Sequence, residues 1–237
     1  MAAPVWKDFS NLINVARTTW PKDIANLTGG GGLADNDIIL AHLYFEAART
    51  ITVVPTDWTL LKTWDQDTGG FKYRVYQYWL RRVGHTGVQT WEWDGTSTVC
   101  GGMITNWSGA ITTENPWATV GAADLETATG PLSNAGIVIE RSASAAIIVA
   151  QNFSGAAAAS LWTTGYTERI DSGRHYMAVN ATVGTGATGA VSATIATLDY
   201  LSSVMHELAS VAGAAAADPV VGMRQPDQSQ EVALWRS

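Results

Sequence analysis

About ten short runs rich in β-branched and aromatic residues, each closed by Gly, Asn, Asp, Pro or Ser, fill this chain from residue 38 to residue 208. That punctuation leaves no length for a long amphipathic helix. The clearest run is 71–82, where Phe71, Tyr73, Val75, Gln77 and Trp79 share one parity and Lys72, Arg74, Tyr76, Tyr78 and Leu80 the other. A period of two is the signature of a strand with unlike faces. Residues 38–45, 57–62, 88–93, 98–107, 136–140, 145–151, 166–170, 174–183, 190–198 and 200–208 read as further strands. Residues 108–133, rich in Thr, Ala, Gly and Asn, read as a long connection, and 184–189 as a Gly/Thr loop. The small residues Cys100, Gly101 and Gly102 mark a place where another layer approaches closely. The pattern predicts an all-β fold, an antiparallel two-sheet sandwich or a barrel.

Composition removes several classes of function. The 237 residues carry 14 basic and 21 acidic side chains, a net charge of −7, which gives a phosphate backbone nothing to bind; no nucleic-acid partner is expected. Cys100 is the only cysteine, so neither a disulfide framework nor a cysteine zinc site is available. No apolar run reaches the 18 or so residues that span a bilayer. The opening residues, Met1 to Asp8, lack the charged and apolar regions of a signal peptide, which predicts a protein made without export and without a membrane partner.

Motifs that carry chemistry are weak. Residues 184–189 fit G-x-G-x-x-G, but a strand-like run follows where a dinucleotide site needs a helix, so no cofactor is expected. Asp65-x-Asp67-x-Gly69 starts like a calcium loop, yet Gly69 and Tyr76 stand where the fifth and twelfth ligands belong. His42, His85, His175 and His206 form no metal-binding pair in sequence, and no metal is expected. Cys100 reads as packing rather than as a nucleophile. Acidic pairs such as Asp35/Asp37 and Glu92/Asp94 could serve glycosidase chemistry only at defined separations in space, and they also suit turns and strand ends. No catalytic residue is assigned.

Tryptophan is the enrichment with a physical message: there are 11. Its large area and few rotors suit cores and interfaces. Trp91 and Trp93 share a parity; with Trp107 and Trp117 they form either part of a sandwich core, a subunit interface, or a stacking platform for sugar rings.

The sequence also resembles itself. Ile38-Ile39-Leu40-Ala41 matches Ile147-Ile148-Val149-Ala150, Thr56-Asp57-Trp58-Thr59 resembles Thr164-Gly165-Tyr166-Thr167, and Arg74-Val75-Tyr76 resembles Arg174-His175-Tyr176. A repeat with this spacing suits a jelly roll built from related halves. Outside the strand-rich body, residues 1–32 and 210–237 differ in texture and are expected to be terminal arms flanking one domain over 33–209. Trp6, Phe9 and Trp20 in the first arm and Leu234 and Trp235 in the second would be the docking contacts.

The order of segments carries a family resemblance. Asp37 to Ala41, Pro55-x-x-Trp58-Thr59-Leu60-Leu61, the strand 73–82, Thr90-Trp91-Glu92-Trp93 and Asn106-Trp107-Ser108-Gly109 make its first part. Ala146 to Ala150, Gly165-Tyr166-Thr167-Glu168-Arg169 and the Gly186 to Gly189 hairpin complete it. The series, over residues 33–209, resembles jelly-roll structural proteins of tailed bacteriophages and gene-transfer particles: tail, fibre or decoration subunits. Asp57 departs from the glycine usual in that family before the tryptophan. The resemblance implies a non-enzymatic subunit on a virion surface that forms homo-oligomers and docks on other virion proteins of capsid or tail. The alternative is a carbohydrate-binding adhesin that takes a cell-surface glycan on Trp91, Trp93, Trp107 and Trp117.

Overall fold

In the computed structural model, the described residues are 3–27, 32–67, 70, 72–96, 98–126, 131–153, 157–172, 174–195 and 200–210. Apart from one 3-10 turn at Ile24–Asn26, the elements are strands. The first half holds β1 (Val5–Arg17), β2 (Thr19–Asp23), β3 (Ile38–Glu46), β4 (Ile51–Val53), β5 (Thr59–Asp67), β6 (Lys72–Arg81), β7 (Val88–Trp93) and β8 (Thr98–Ser108). The second holds β9 (Trp117–Glu126), β10 (Leu132–Asn134), β11 (Val138–Ile139), β12 (Ser144–Asn152), β13 (Ala159–Ser160), β14 (Thr167–Asp171), β15 (His175–Val183), β16 (Gly186–Ala187), β17 (Val191–Ile195) and β18 (Leu201–Leu208).

The two halves are wired alike. The first forms a five-stranded sheet β1-β8-β3-β6-β5 and a three-stranded sheet β2-β7-β4; the second forms β9-β18-β12-β15-β14 and β10-β17-β13, with β11-β16 as an added ribbon. All the pairings are antiparallel. Two of the three sequence similarities fall on matching places, β3 with β12 and the turns before β5 and β14; the third involves the corresponding strands β6 and β15 but lies two residues out of their structural register. At those turns Asp57 and Gly165 both hold the left-handed conformation, with φ of 66° and 92°.

The layers follow from strand parity. Ile39, Ala41, Leu43 and Phe45 of β3 face the outer sheet of the first half and pack with Trp20, Trp58, Trp91 and Trp93. Ile38 and Leu40, on the other parity, meet Ala145, Ile147 and Val149 of β12 across a seam between the two large sheets. Ala146 and Ile148 face outward again, towards Ile137, Ile139 and Val191. Covered on both faces, β3 and β12 read as continuous apolar runs. The two large sheets thus form a β-sandwich, and a layer of shorter strands lies over each outer face.

The expected loop over 108–133 contains β9, a ten-residue edge strand, and the 184–189 loop contains the short β16. The first terminal arm is replaced by built-in strands. β1 pairs with β8 along most of its length, β2 pairs with β7, Trp6 and Phe9 pack half-buried against the seam core, and Trp20 is fully buried. In the second arm, residues 211–237, with Leu234 and Trp235, lie outside the described residues.

Candidate functional site

The four tryptophans proposed as a sugar platform present no open ring face. Trp91 and Trp93 point into the first half's outer core and Trp107 and Trp117 into the seam, none more than 6% exposed. Trp91 is packed edge-on against Trp20 and Trp58, at ring separations of 5.1 and 4.9 Å. A stacking platform needs a flat, wet face, and this arrangement consumes it; the platform is corrected to core.

Three of the candidate carboxylates, Asp35, Asp37 and Asp94, are likewise engaged in holding the backbone, while Glu92 is exposed on β7. Asp37, buried, accepts from Lys7 at 2.9 Å and from the Ala34 amide at 2.8 Å. Asp35 accepts from Arg82 at 2.7 Å and from the Gly84 amide at 3.0 Å. Asp94 accepts the Thr50 amide at 2.9 Å. Asp65 takes Arg74 through both oxygens, at 2.6 and 2.9 Å, and the guanidinium holds its pKa below the usual carboxylate range. Among the described residues no cluster of three or more His, Cys, Asp or Glu has the spacing to hold a metal ion. Cys100 lies buried in the outer core, where desolvation pushes its thiol up to about 11.

Sequence spacing gave no hint of what the seam brings together. His42 on β3 and Gln77 on β6 are direct cross-strand partners; at the matching place in the second half, Gln151 on β12 faces His175 on β15. The same His–Gln pair thus occurs twice, with its members exchanged. His206 on β18 shares a bond with Gln77, Nε2 to Oε1 at 2.7 Å, and Gln77 Nε2 lies 3.2 Å from His42 Nδ1. That chain crosses from one large sheet to the other. The His42 and His175 rings stand 6.4 Å apart, edge to face. All three histidines are completely buried. Burial pushes His42 and His206 down to about 3, and His175 well below its ordinary value, where His42, Arg174 and Lys22 add to the effect. Among the described residues, His42 Nε2, His175 Nε2 and His206 Nδ1 have no hydrogen-bond partner. A lone signal existed: His42 interrupts an otherwise apolar run, and Gln77 shares its parity with Tyr73, Val75 and Trp79.

Two clefts open where the seam reaches the surface. On one side Arg169 of β14 lies 5.7 Å above the Trp6 ring of β1, beside a cleft of about 480 Å³ lined by Pro4, Val5 and Ala181. On the other, β5 and β9 flank a cleft of about 320 Å³ lined by Asp65, Gln66, Asp67, Lys72 and Leu125. The repeated strand order makes these places equivalent, since β1 corresponds to β9 and β14 to β5.

These observations define an all-β protein of stacked antiparallel sheets with a polar belt buried at its centre. Comparison with protein-family models, with curated proteins and with solved structures finds no match.

Proposed function

We propose that the chain is a non-enzymatic structural subunit of a tailed-phage or gene-transfer particle, made of two fused jelly rolls and displayed on the virion surface. The observation that carries this reading is the repeated wiring. In each half the first strand lies beside the last and the third beside the sixth, while the second, seventh and fourth form the opposing layer. That order supports reading each half as a jelly roll, the two-Greek-key arrangement of capsid and lectin domains, in line with the resemblance carried by residues 33–209.

The large sheets also end in strands suited to lateral assembly. β1 and β5 edge one sheet, β9 and β14 the other, and among the described residues no further strand covers them. Edge strands offer unpaired amides and carbonyls for pairing with another chain, so self-association and docking on capsid or tail use these edges, together with the segment 211–237. The adhesin reading loses its motive with the four tryptophans in the core.

Quantitative mass spectrometry of gradient-purified particles from the encoding host tests the proposal. Copies comparable with the major capsid protein mean a head-decoration role, and a small multiple of the tail symmetry means a tail part. Absence from particles overturns it.

A further inference from the structure

We propose that the seam is an acid-released latch: proton uptake by His42, His175 and His206 parts the two large sheets before either half loses its own outer packing. The three rings come from strands of both halves and sit in one belt between them. The hydrogen bonds from His206 to Gln77 and from Gln77 to His42 make the belt the polar link across the seam. To either side of it the contact is apolar or aromatic, with Ile38, Leu40, Ile147 and Val149 on one side and Tyr44, Tyr73 and Phe153 on the other.

Among the described residues no carboxylate faces the belt; the groups opposite the histidines are the neutral amides of Gln77 and Gln151, a serine and aromatic rings. His42 faces Gln77 and the rings of Trp64 and His175. His175 faces Ser172 and the Tyr44 ring, with Arg174 and Lys22 as the charges acting on it. His206 faces Gln77 and the Trp117 ring, with Lys62 acting on it. Every one of those charges is positive. Glu207, next in sequence, turns to the opposite side of β18 and is bound there by Ser144 and the amides of Glu140 and Arg141. A buried imidazolium with no carboxylate partner is strongly disfavoured.

The sign follows from linkage. A folded-state pKa below the ordinary 6.5 means that the opened state binds more protons, so the closed seam is fully favoured above about pH 6.5 and loses ground as pH falls towards about 3. With three such groups the opening constant rises by up to about 1000-fold per pH unit inside that window. Among the described residues the only buried histidines are the three of the belt, and His85 lies part-exposed in the β6–β7 loop; the first outer core is built on Trp20, Trp91, Phe45 and Ile104, the second on Leu132, Ile148, Val191 and Leu201. The seam is therefore the acid-sensitive layer.

The chain carries its own reporters. Met103 and Met177 are buried in the seam, Met205 in the outer core of the second half and Cys100 in that of the first. Hydroxyl-radical footprinting of the full chain, read by mass spectrometry from pH 7.5 to 4.5, follows all four. Expected is a rise of at least about tenfold in the labelling of Met103 and Met177 below pH 5.5, with Met205 and Cys100 still protected. Protection of all four down to pH 4.5, or a simultaneous rise of all four, overturns the proposal. The variant H42Q/H175Q/H206Q, which uses the residue the repeated strand order already places opposite a histidine, removes the pH dependence. Should it fail to fold, the wild-type comparison of seam and outer reporters still decides.

Discussion

Asp57 and Gly165 stand at the same turn of the two halves, both with positive φ, at 66° and 92°. Only glycine takes this conformation without cost. Asp57 has a local compensation: its carboxylate lies 3.0 Å from His85 Nε2, while His85 Nδ1 accepts the Val83 amide at 3.0 Å. Asp57 thus holds its turn through a side-chain bond to the β6–β7 loop. Replacing Asp57 by Gly loses an exposed pair and gains backbone freedom, so stability changes by less than about 0.5 kcal/mol. Asp57→Ala loses the same pair and puts in the left-handed region a residue that tolerates it less well than aspartate, and costs about 1 kcal/mol. Urea unfolding of the two variants checks the difference, which isolates φ from charge.

At Gly102 two neighbouring strands of one sheet, β8 and β3, approach closely. A Cβ there would stand 2.4 Å from the His42 carbonyl oxygen and 3.2 Å from Trp20 Cζ2. The first contact is backbone in the neighbouring strand β3, which cannot swing away as a side chain would. Gly102→Ala therefore forces β8 and β3 apart and costs about 2–3 kcal/mol, the upper range for overpacking. The measurement is the thermal midpoint against that of Ala16→Gly, a change on the neighbouring strand β1, which is expected to cost only about 1 kcal/mol.

How much of this was legible depended on what covered each strand. β7 reads from the sequence with its observed ends, and β3, β6, β12 and β18 to within a residue or two, because buried strands need apolar or alternating residues. β9 did not read as a strand. It runs along an edge with two register irregularities, and Gly121 stands where a Cβ would come within 2.9 Å of the Met205 carbonyl oxygen. Small residues are required there, and small residues look like a loop. The tryptophans were visible as an enrichment but not as core, since parity cannot tell which face a second layer covers. The seam histidines were invisible as a group: positions 42, 175 and 206 meet only after both halves have folded and stacked.

Glu207 anchors the second half much as Asp37 anchors the first, each tying down the turn that enters a central strand. Glu207 Oε1 accepts from the Arg141 amide at 2.9 Å and Ser144 Oγ at 2.7 Å; Oε2 accepts from the Glu140 amide at 2.8 Å and Thr119 Oγ1 at 3.1 Å. All four neighbours are donors and the carboxylate is fully buried. Glu207→Gln turns one acceptor oxygen into an NH₂ that faces two of those donors. The expected loss is about 2–4 kcal/mol, since buried donors are left unpaired. Hydrogen exchange should speed up at the Glu140 and Arg141 amides, in the turn before β12, sooner than anywhere in β12 itself. Unchanged exchange there would mean that the turn does not depend on this carboxylate.

Cys100 gives a direct reading of the first half's core. Its thiol is fully buried among Trp20, Phe45 and Ile104, and with its pKa pushed up to about 11 it is almost wholly protonated at pH 8. The thiolate is the reactive form, so a disulfide reagent such as dithionitrobenzoate should leave the folded protein unlabelled over hours and titrate one thiol in denaturant. Cys100→Ala keeps the site apolar and costs about 1 kcal/mol for the lost sulfur contacts. Cys100→Ser, nearly the same size, puts a hydroxyl into an apolar site and costs about 1–3 kcal/mol. Serine costing more than alanine despite filling more of the space is the expected order. The reverse order would place water or a polar partner beside residue 100.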